Sequence, residues 1–344
     1  MAAGNLPSAF VNGGPKLLAK KDYESATRVL GFGLTIDPKS GPLRNNHRIA
    51  WVEYIEATLE AGNDAEALAV ARRAAEAVPG KDFASPSEWF VRHAENRLKK
   101  GWEEGLKVAQ RGLVVLDAPE RRKLLEWRSG TFRQWSQSLL RADDAEGSSA
   151  VLARAYALDP NDKAVVAGIG FHTQEALRSL ESKSGAKAAV AHFEALRRDF
   201  PKVAAVGEMG ASHANRSIRG LSDGGKFADA LAAIETYRPL LPDRAQCDEV
   251  GGIVYDKWAR QLVGKKSWKE ALNKYAEGRK AFPKQDLLVG NAVAAVDRWG
   301  KTAIDAKKWD EAIGIYEIGL EYHPGNANLL HNKDYCEKMK AKAK

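Results

Sequence analysis

The chain has 344 residues, 44% of them apolar and 28% charged, enough for two or three compact domains or one elongated repeat array. Its apolar runs are far too short to span a bilayer, and a formal net charge of +8 favours acidic partners through long-range attraction. Cys247 and Cys336 stand far apart with no CxxC motif and no clustered histidines, which argues against a disulfide framework and a zinc site.

Residues 1–15 read as an N-terminal extension. The opening MAAGNLPSAFVNGGPK lacks the charged start and continuous apolar stretch of a secretory signal, so the expected compartment is the cytoplasm. An alternative is a fragment of an exported or larger protein without its signal.

Residues 16–324 repeat themselves. Prolines stand at 38, 79, 119, 160, 201, 242, 283 and 324, each 40 or 41 residues after the last. Twelve residues before most of them is a small side chain: Ala26, Ala67, Ser148, Ala189, Ala230, Ala271 and Ala312. The third copy is irregular, with Gly105 fourteen residues before Pro119. Three residues before the small position there is often an aromatic: Tyr23, Trp102, Phe227, Trp268 and Trp309. In the last two copies, KSWKEALNKYAEGRKAFP and KKWDEAIGIYEIGLEYHP, seven of 18 positions are identical. Self-similarity at such a period marks a repeat array.

Each unit predicts a helical hairpin. In the eighth, 288–306 and 309–322 are rich in helix formers, with apolar residues at three- and four-residue intervals. Gly62, Gly101, Gly185, Gly224, Gly225 and Gly264 mark turns suited to a left-handed helix end. The proline closes the second helix because its ring cannot continue one. The small residue lets two helices approach, and the neighbouring aromatic fills the adjacent gap.

The order of turn, aromatic, Glu-Ala, Tyr, small residue and Pro resembles the tetratricopeptide repeat, best in GNDAEALAVARRAAEAVP and AKKWDEAIGIYEIGLEYHP. The resemblance covers nearly the whole chain and implies an all-α fold: an α-solenoid, or superhelix, of about eight helical hairpins. Residues 325–344 then predict a capping helix with a basic tail, since a stack of hairpins leaves its last apolar face bare. One departure is the period of about 41, seven more than the family's. The extra residues lie between the proline and the next turn, where they lengthen the first helix or its loop.

No enzyme emerges. GLSDG, from Gly220 to Gly224, matches G-x-S-x-G but falls between two helices rather than on a strand–turn–helix. GIGFHT, from Gly168 to Thr173, lacks the third glycine of a dinucleotide site. No cofactor and no metal is expected. His172 and His213 occupy equivalent places in adjacent copies and read as surface or groove residues that could stack. Glycines early in several first helices, among them Gly207, Gly210, Gly251 and Gly290, read as sites of close helix crossing.

In the tetratricopeptide family the first helix of each unit lines a peptide-binding groove. That resemblance implies a ligand-facing ladder in repeats five to eight. One column holds Gln174, Asn215, Asp256 and Asp297. Four residues on, over the same helical face, stand Arg178, Arg219, Arg260 and Lys301. A third column holds Arg216, Lys257 and Arg298, with no built-in acid at the same spacing. Either Asp256–Arg260 and Asp297–Lys301 are structural pairs, or these groups grip a ligand's acidic segment or free carboxylate. The expectation is a non-enzymatic protein- or peptide-binding scaffold. The alternatives are an RNA-binding helical repeat and a scaffold that self-associates.

Overall fold

In a computed structural model the protein is described over residues 6–78 and 83–343; Pro79 of the second copy lies outside the described residues. Those residues are helical with short turns, and no strand occurs among them. Two compact units partition the chain: residues 1–141 with 150–165, and residues 142–149 with 166–344. The fold is an all-α helical-repeat solenoid, built within each unit by stacking hairpins.

The helices run α1 (Leu6–Ala19), α2 (Tyr23–Ile36), α3 (Gly41–Glu60), α4 (Asp64–Ala77), α5 (Pro86–Leu98), α6 (Trp102–Val115), α7 (Ala118–Arg141) and α8 (Ala145–Leu158). There follow α9 (Lys163–Ser184), α10 (Ala186–Asp199), α11 (Ala204–Asp223), α12 (Phe227–Tyr237), α13 (Arg244–Gly264), α14 (Trp268–Ala281), α15 (Asp286–Asp305), α16 (Trp309–Tyr322) and α17 (Ala327–Lys342). The second helix of most hairpins is 14 residues long, whereas α3, α7, α9, α11, α13 and α15 have 20 to 24. The residues between a proline and the next turn are therefore spent mostly on helix. Helix α1 begins at Leu6, inside the segment set apart as an extension, and packs with α2 through Phe10, Val11, Leu17 and Leu18.

The small positions sit where the two helices of a hairpin touch. Ala26, Ser148, Ala189, Ala230, Ala271 and Ala312 have no exposed surface at all, and Ala67 is also buried. Gly105 explains the irregular third copy. A Cβ there would come 2.9 Å from the Ala94 carbonyl oxygen, so even alanine is too large. Pro119 departs from the other prolines: it lies in the first turn of α7, where its missing N–H costs nothing, rather than closing α6. Gly210 and Gly251 are indeed close crossings, against the rings of Phe193 and Phe282, while Gly207 and Gly290 face open space.

Aromatic stacks join one hairpin to the next. The residue opening a second helix lies over one from the following first helix: Tyr23 on Tyr54 at 6.0 Å, Trp102 on Trp135 at 6.4 Å, Phe227 on Trp258 at 5.6 Å and Trp268 on Trp299 at 6.2 Å. Interplanar angles of 7° to 17° make these parallel stacks, worth about 0.5–1.5 kcal/mol each beyond their buried area. Separate apolar clusters fill the interior, one around Trp51, Ile55, Phe90 and Leu124, another around Tyr275, Val296, Tyr316 and Leu329.

The turns correct one expectation. Gly62, Gly101, Gly185 and Gly225 do have positive φ, but Gly264 is the last residue of α13 and Lys266 takes the left-handed position at φ 61°. Lys21, Asp143 and Lys307 do likewise in their turns. Both histidines singled out in the sequence are buried, which overturns their reading as surface residues. His172 is hydrogen-bonded through Nδ1 to the Ser148 hydroxyl at 2.9 Å and lies 3.2 Å, Nε2 to Nε2, from His192. His213 instead lies against Glu181 and Tyr237. The serine of GLSDG ends α11 and donates to the Arg219 carbonyl at 2.9 Å.

Two outcomes follow from these turns and histidines. Lys307→Gly should raise unfolding free energy by about 0.5–1 kcal/mol in urea, since a left-handed lysine costs about 1–2 kcal/mol and glycine gives part of that back as unfolded-chain entropy. Burial, then the His192 ring, pushes the His172 imidazole down to about 3. The unfolded chain therefore binds the extra proton, and stability must fall as pH drops below the ordinary histidine value of about 6.5. His172 alone should remove about 1.4 kcal/mol by about pH 5.5, a loss that His172→Gln abolishes in urea titrations at each pH.

Candidate functional site

Every residue of the expected ladder stands on a long first helix of the second unit. Gln174 and Arg178 lie on α9; Asn215, Arg216 and Arg219 on α11; Asp256, Lys257 and Arg260 on α13; Asp297, Arg298 and Lys301 on α15. The structure sorts them into two groups that sequence spacing could not separate.

The carboxylates are taken up within the protein. Asp256 is 8% exposed and accepts from Asn291 Nδ2 of α15 at 2.6 Å and from the Tyr275 hydroxyl of α14 at 3.4 Å. Arg260 Nε completes the set at 2.9 Å from its other oxygen, which is the expected pair one turn along. Asp297 repeats the arrangement one hairpin later, accepting from Asn332 Nδ2 of α17 at 2.5 Å. Burial, and then the neighbouring carboxylate, push the phenols of Tyr275 and Tyr316 up to about 12. The two hydroxyls thus stay protonated beside their aspartates.

The cations divide differently from expectation. Lys257 is not uncompensated: it pairs with Asp223 at the end of α11. The expected Asp297–Lys301 pair is not among the ion pairs of the described residues, and Lys301 is exposed without one. Arg178, Arg216, Arg219 and Arg298 are likewise exposed, with no ion pair or side-chain hydrogen bond among the described residues. Gln174 donates to Glu175 at 3.3 Å, and Asn215 keeps a buried Oδ1 with no hydrogen-bond partner.

A cavity of about 330 Å³ opens between α13, α14 and α15, lined by Arg260, Val263, Tyr275, Asn291, Ala294, Ala295 and Arg298. Arg260 is held by Asp256 at one side; Arg298 brings an unpaired guanidinium to the other. Tyr275 and Asn291 complete the polar lining, and sequence reading did not place them there. Their signal was available: Tyr275 and Tyr316, like Asn291 and Asn332, recur at the repeat interval. What spacing could not reveal is that both converge on the same aspartate. No group of three metal-ligating side chains occurs among the described residues, and no helix there is long and apolar enough to cross a membrane.

No family model matches the chain, and no curated protein matches it. Among solved structures, the chain is similar to the P58(IPK) TPR domain, at 12% identity over 98% of this chain and 99% of that one, with a TM-score of 0.21. Human IFIT1, solved as a dimer with m7Gppp-AAAA, is 16% identical over 97% of this chain and 72% of that one, with a TM-score of 0.24. A tetratricopeptide repeat protein from Parabacteroides merdae is 13% identical over 85% of this chain and 99% of that one, with a TM-score of 0.20. At such scores the backbones do not superpose, and the fold stands on the chain's own hairpins.

The division between held carboxylates and unpaired cations makes a stability test. Asp297→Ala, which strands Asn332 and Tyr316, should cost about 1–3 kcal/mol in urea unfolding. Arg298→Ala and Lys301→Ala should each stay within about 0.5 kcal/mol of the parent.

Proposed function

We propose that this protein is a non-enzymatic binding scaffold of the tetratricopeptide kind. Its ligand is a protein or peptide segment carrying acidic side chains or a free carboxylate, and its binding face is that of the first helices in the second unit. The observation that carries the reading is the cavity beside Arg298. The Arg298 guanidinium, with no internal partner, lines an opening suited to a carboxylate, which Arg receives through two parallel hydrogen bonds. Arg178 of α9, Arg219 of α11 and Lys301 of α15 extend the positive character over other repeats of the unit. Gln174 and Asn215 bring side-chain amides to the same face for contacts with the ligand's backbone.

Arg260 has a different part from the one its column assigned. Held by Asp256, it frames the cavity rather than offering an uncompensated charge, and its removal would disturb the hairpin stack. Against nucleic acid stands the arrangement of the aromatic pairs, whose rings are stacked on each other and not free to receive bases.

The test uses a fluorescein-labelled peptide ending in several glutamates with a free carboxylate, and a single-stranded RNA of mixed sequence, each titrated by anisotropy. The parent should bind the peptide, and Arg178/Arg219/Arg298/Lys301→Ala should weaken it about tenfold or more, each lost charge-assisted bond being worth about 1.5–3 kcal/mol. Equal binding by both proteins would overturn the assignment of this face. Tight RNA binding that falls steeply with salt, without peptide binding, would replace the ligand class.

A further inference from the structure

A second cavity, in the first unit, shares no residue with the ladder. It has a volume of about 470 Å³ and lies between α3 and α5, with Tyr23 of α2 at its edge. That is within the size range of small-molecule sites. Its two long walls carry opposite charge. Glu53, Glu56 and Glu60 line it from α3; Arg92 and Arg97 line it from α5, and Lys100 from the turn that follows α5. Three- and four-residue spacing puts the three glutamates on one face of α3.

Opposite charges facing across a narrow gap normally pair, yet among the described residues Arg97 to Glu60, at 2.9 Å, is the only Arg or Lys bridge that closes it. Among the described residues Glu53, Glu56 and Lys100 make no ion pair or side-chain hydrogen bond. Arg92 lies over the Trp89 ring, its guanidinium carbon 5.2 Å from the centroid, and its N–H groups have no acceptor there. The floor has the same deficit. Trp89 is 4% exposed and His93 8%, and neither Trp89 Nε1 nor His93 Nε2 has a hydrogen-bond partner. His93 Nε2 is 3.8 Å from Glu60, beyond hydrogen-bond reach. A buried polar nitrogen left unpaired is costly, and native interiors contain few. Two on one helix face, both lining one cavity, mark the place where a bound molecule supplies the missing partner.

We propose that this cavity binds a small zwitterion of amino-acid type, its ammonium group toward Glu53 and Glu56 and its carboxylate toward Arg92, Lys100 and the Trp89 N–H. A charge-segregated pocket rewards a ligand carrying both signs and discriminates against one carrying a single sign, which leaves one wall unpaired. The apolar part of the ligand lies against the rings of Tyr23 and Trp89. Free amino acids and short peptides that retain both end charges present this chemistry alike.

Isothermal titration of the full chain with each of the twenty free L-amino acids, and with their glycyl dipeptides, tests the assignment. At least one should bind saturably. N-acetylation or amidation of that ligand should weaken it about tenfold or more, as should Trp89→Phe, which keeps the ring and deletes the donor. Should Trp89→Phe fail to fold by circular dichroism, Arg92→Ala at the exposed rim and Glu53→Gln/Glu56→Gln carry the same test. Preference for a free amino acid over its dipeptide assigns a metabolite, and the reverse a peptide fragment. No saturable binding up to about 10 mM, or binding indifferent to the variants and to both blocking groups, would overturn the proposal.

Discussion

Carboxylates shared between a first helix and the helix that follows its hairpin hold the hairpins in register. Glu60 of α3 is reached by Arg97 of α5 at 2.9 Å. Glu181 of α9 receives the Ser217 hydroxyl of α11 at 2.8 Å and lies 2.9 Å from His213 Nε2. Asp223 of α11 pairs with Lys257 of α13, Asp256 of α13 with Asn291 of α15, and Asp297 of α15 with Asn332 of α17. Apolar packing alone tolerates a slide of one helix along another, because it is proportional to area and has no direction. The more buried carboxylates, Glu181, Asp256 and Asp297, do not tolerate it. The partner of each must arrive at one place, or the charge is stranded.

The rest of the stack is consistent with that register. The small residue at each hairpin crossing brings the two helices together, so that the tyrosine of the second helix reaches the aspartate of the first. The parallel aromatic pairs then sit at the hairpin-to-hairpin step, mostly buried, near the start of the second helix. Because the acids are already engaged, several cations of the second unit are left without internal partners. The proposed binding of an acidic ligand rests on that imbalance. In the first unit the imbalance takes another form, with acids on α3 facing bases on α5 and the turn after it across a cavity.

Much of this architecture could be read from the chain. The prolines, the small positions and the aromatics give the hairpins and their helix boundaries to within a few residues, because close packing leaves no freedom at those places. Turn chemistry was less legible. Lys266 takes the left-handed position and not Gly264, since the helix runs on to its last hydrogen bond before the chain reverses. The histidines misled because their neighbours are remote in sequence: nothing local to His172 says that Ser148 and His192 will enclose it. The same holds for the site. Spacing aligned Arg260 with Lys301 in one column, yet only Arg260 is paired, because Asp297 turns to Asn332 and Tyr316 instead. Trp89 and His93 gave no sequence signal of their own, as an unpaired buried nitrogen is visible only once its surroundings are built.

The central claim is that the shared carboxylates couple one hairpin to the next. A double-mutant cycle on Asp256→Ala and Asn291→Ala, with unfolding free energies measured in urea at neutral pH, addresses it directly. The two residues meet across α13 and α15, and their coupling energy should be about 0.5–3 kcal/mol in favour of the parent pair. Additive losses would show that the contact carries no energy and that packing alone sets the register.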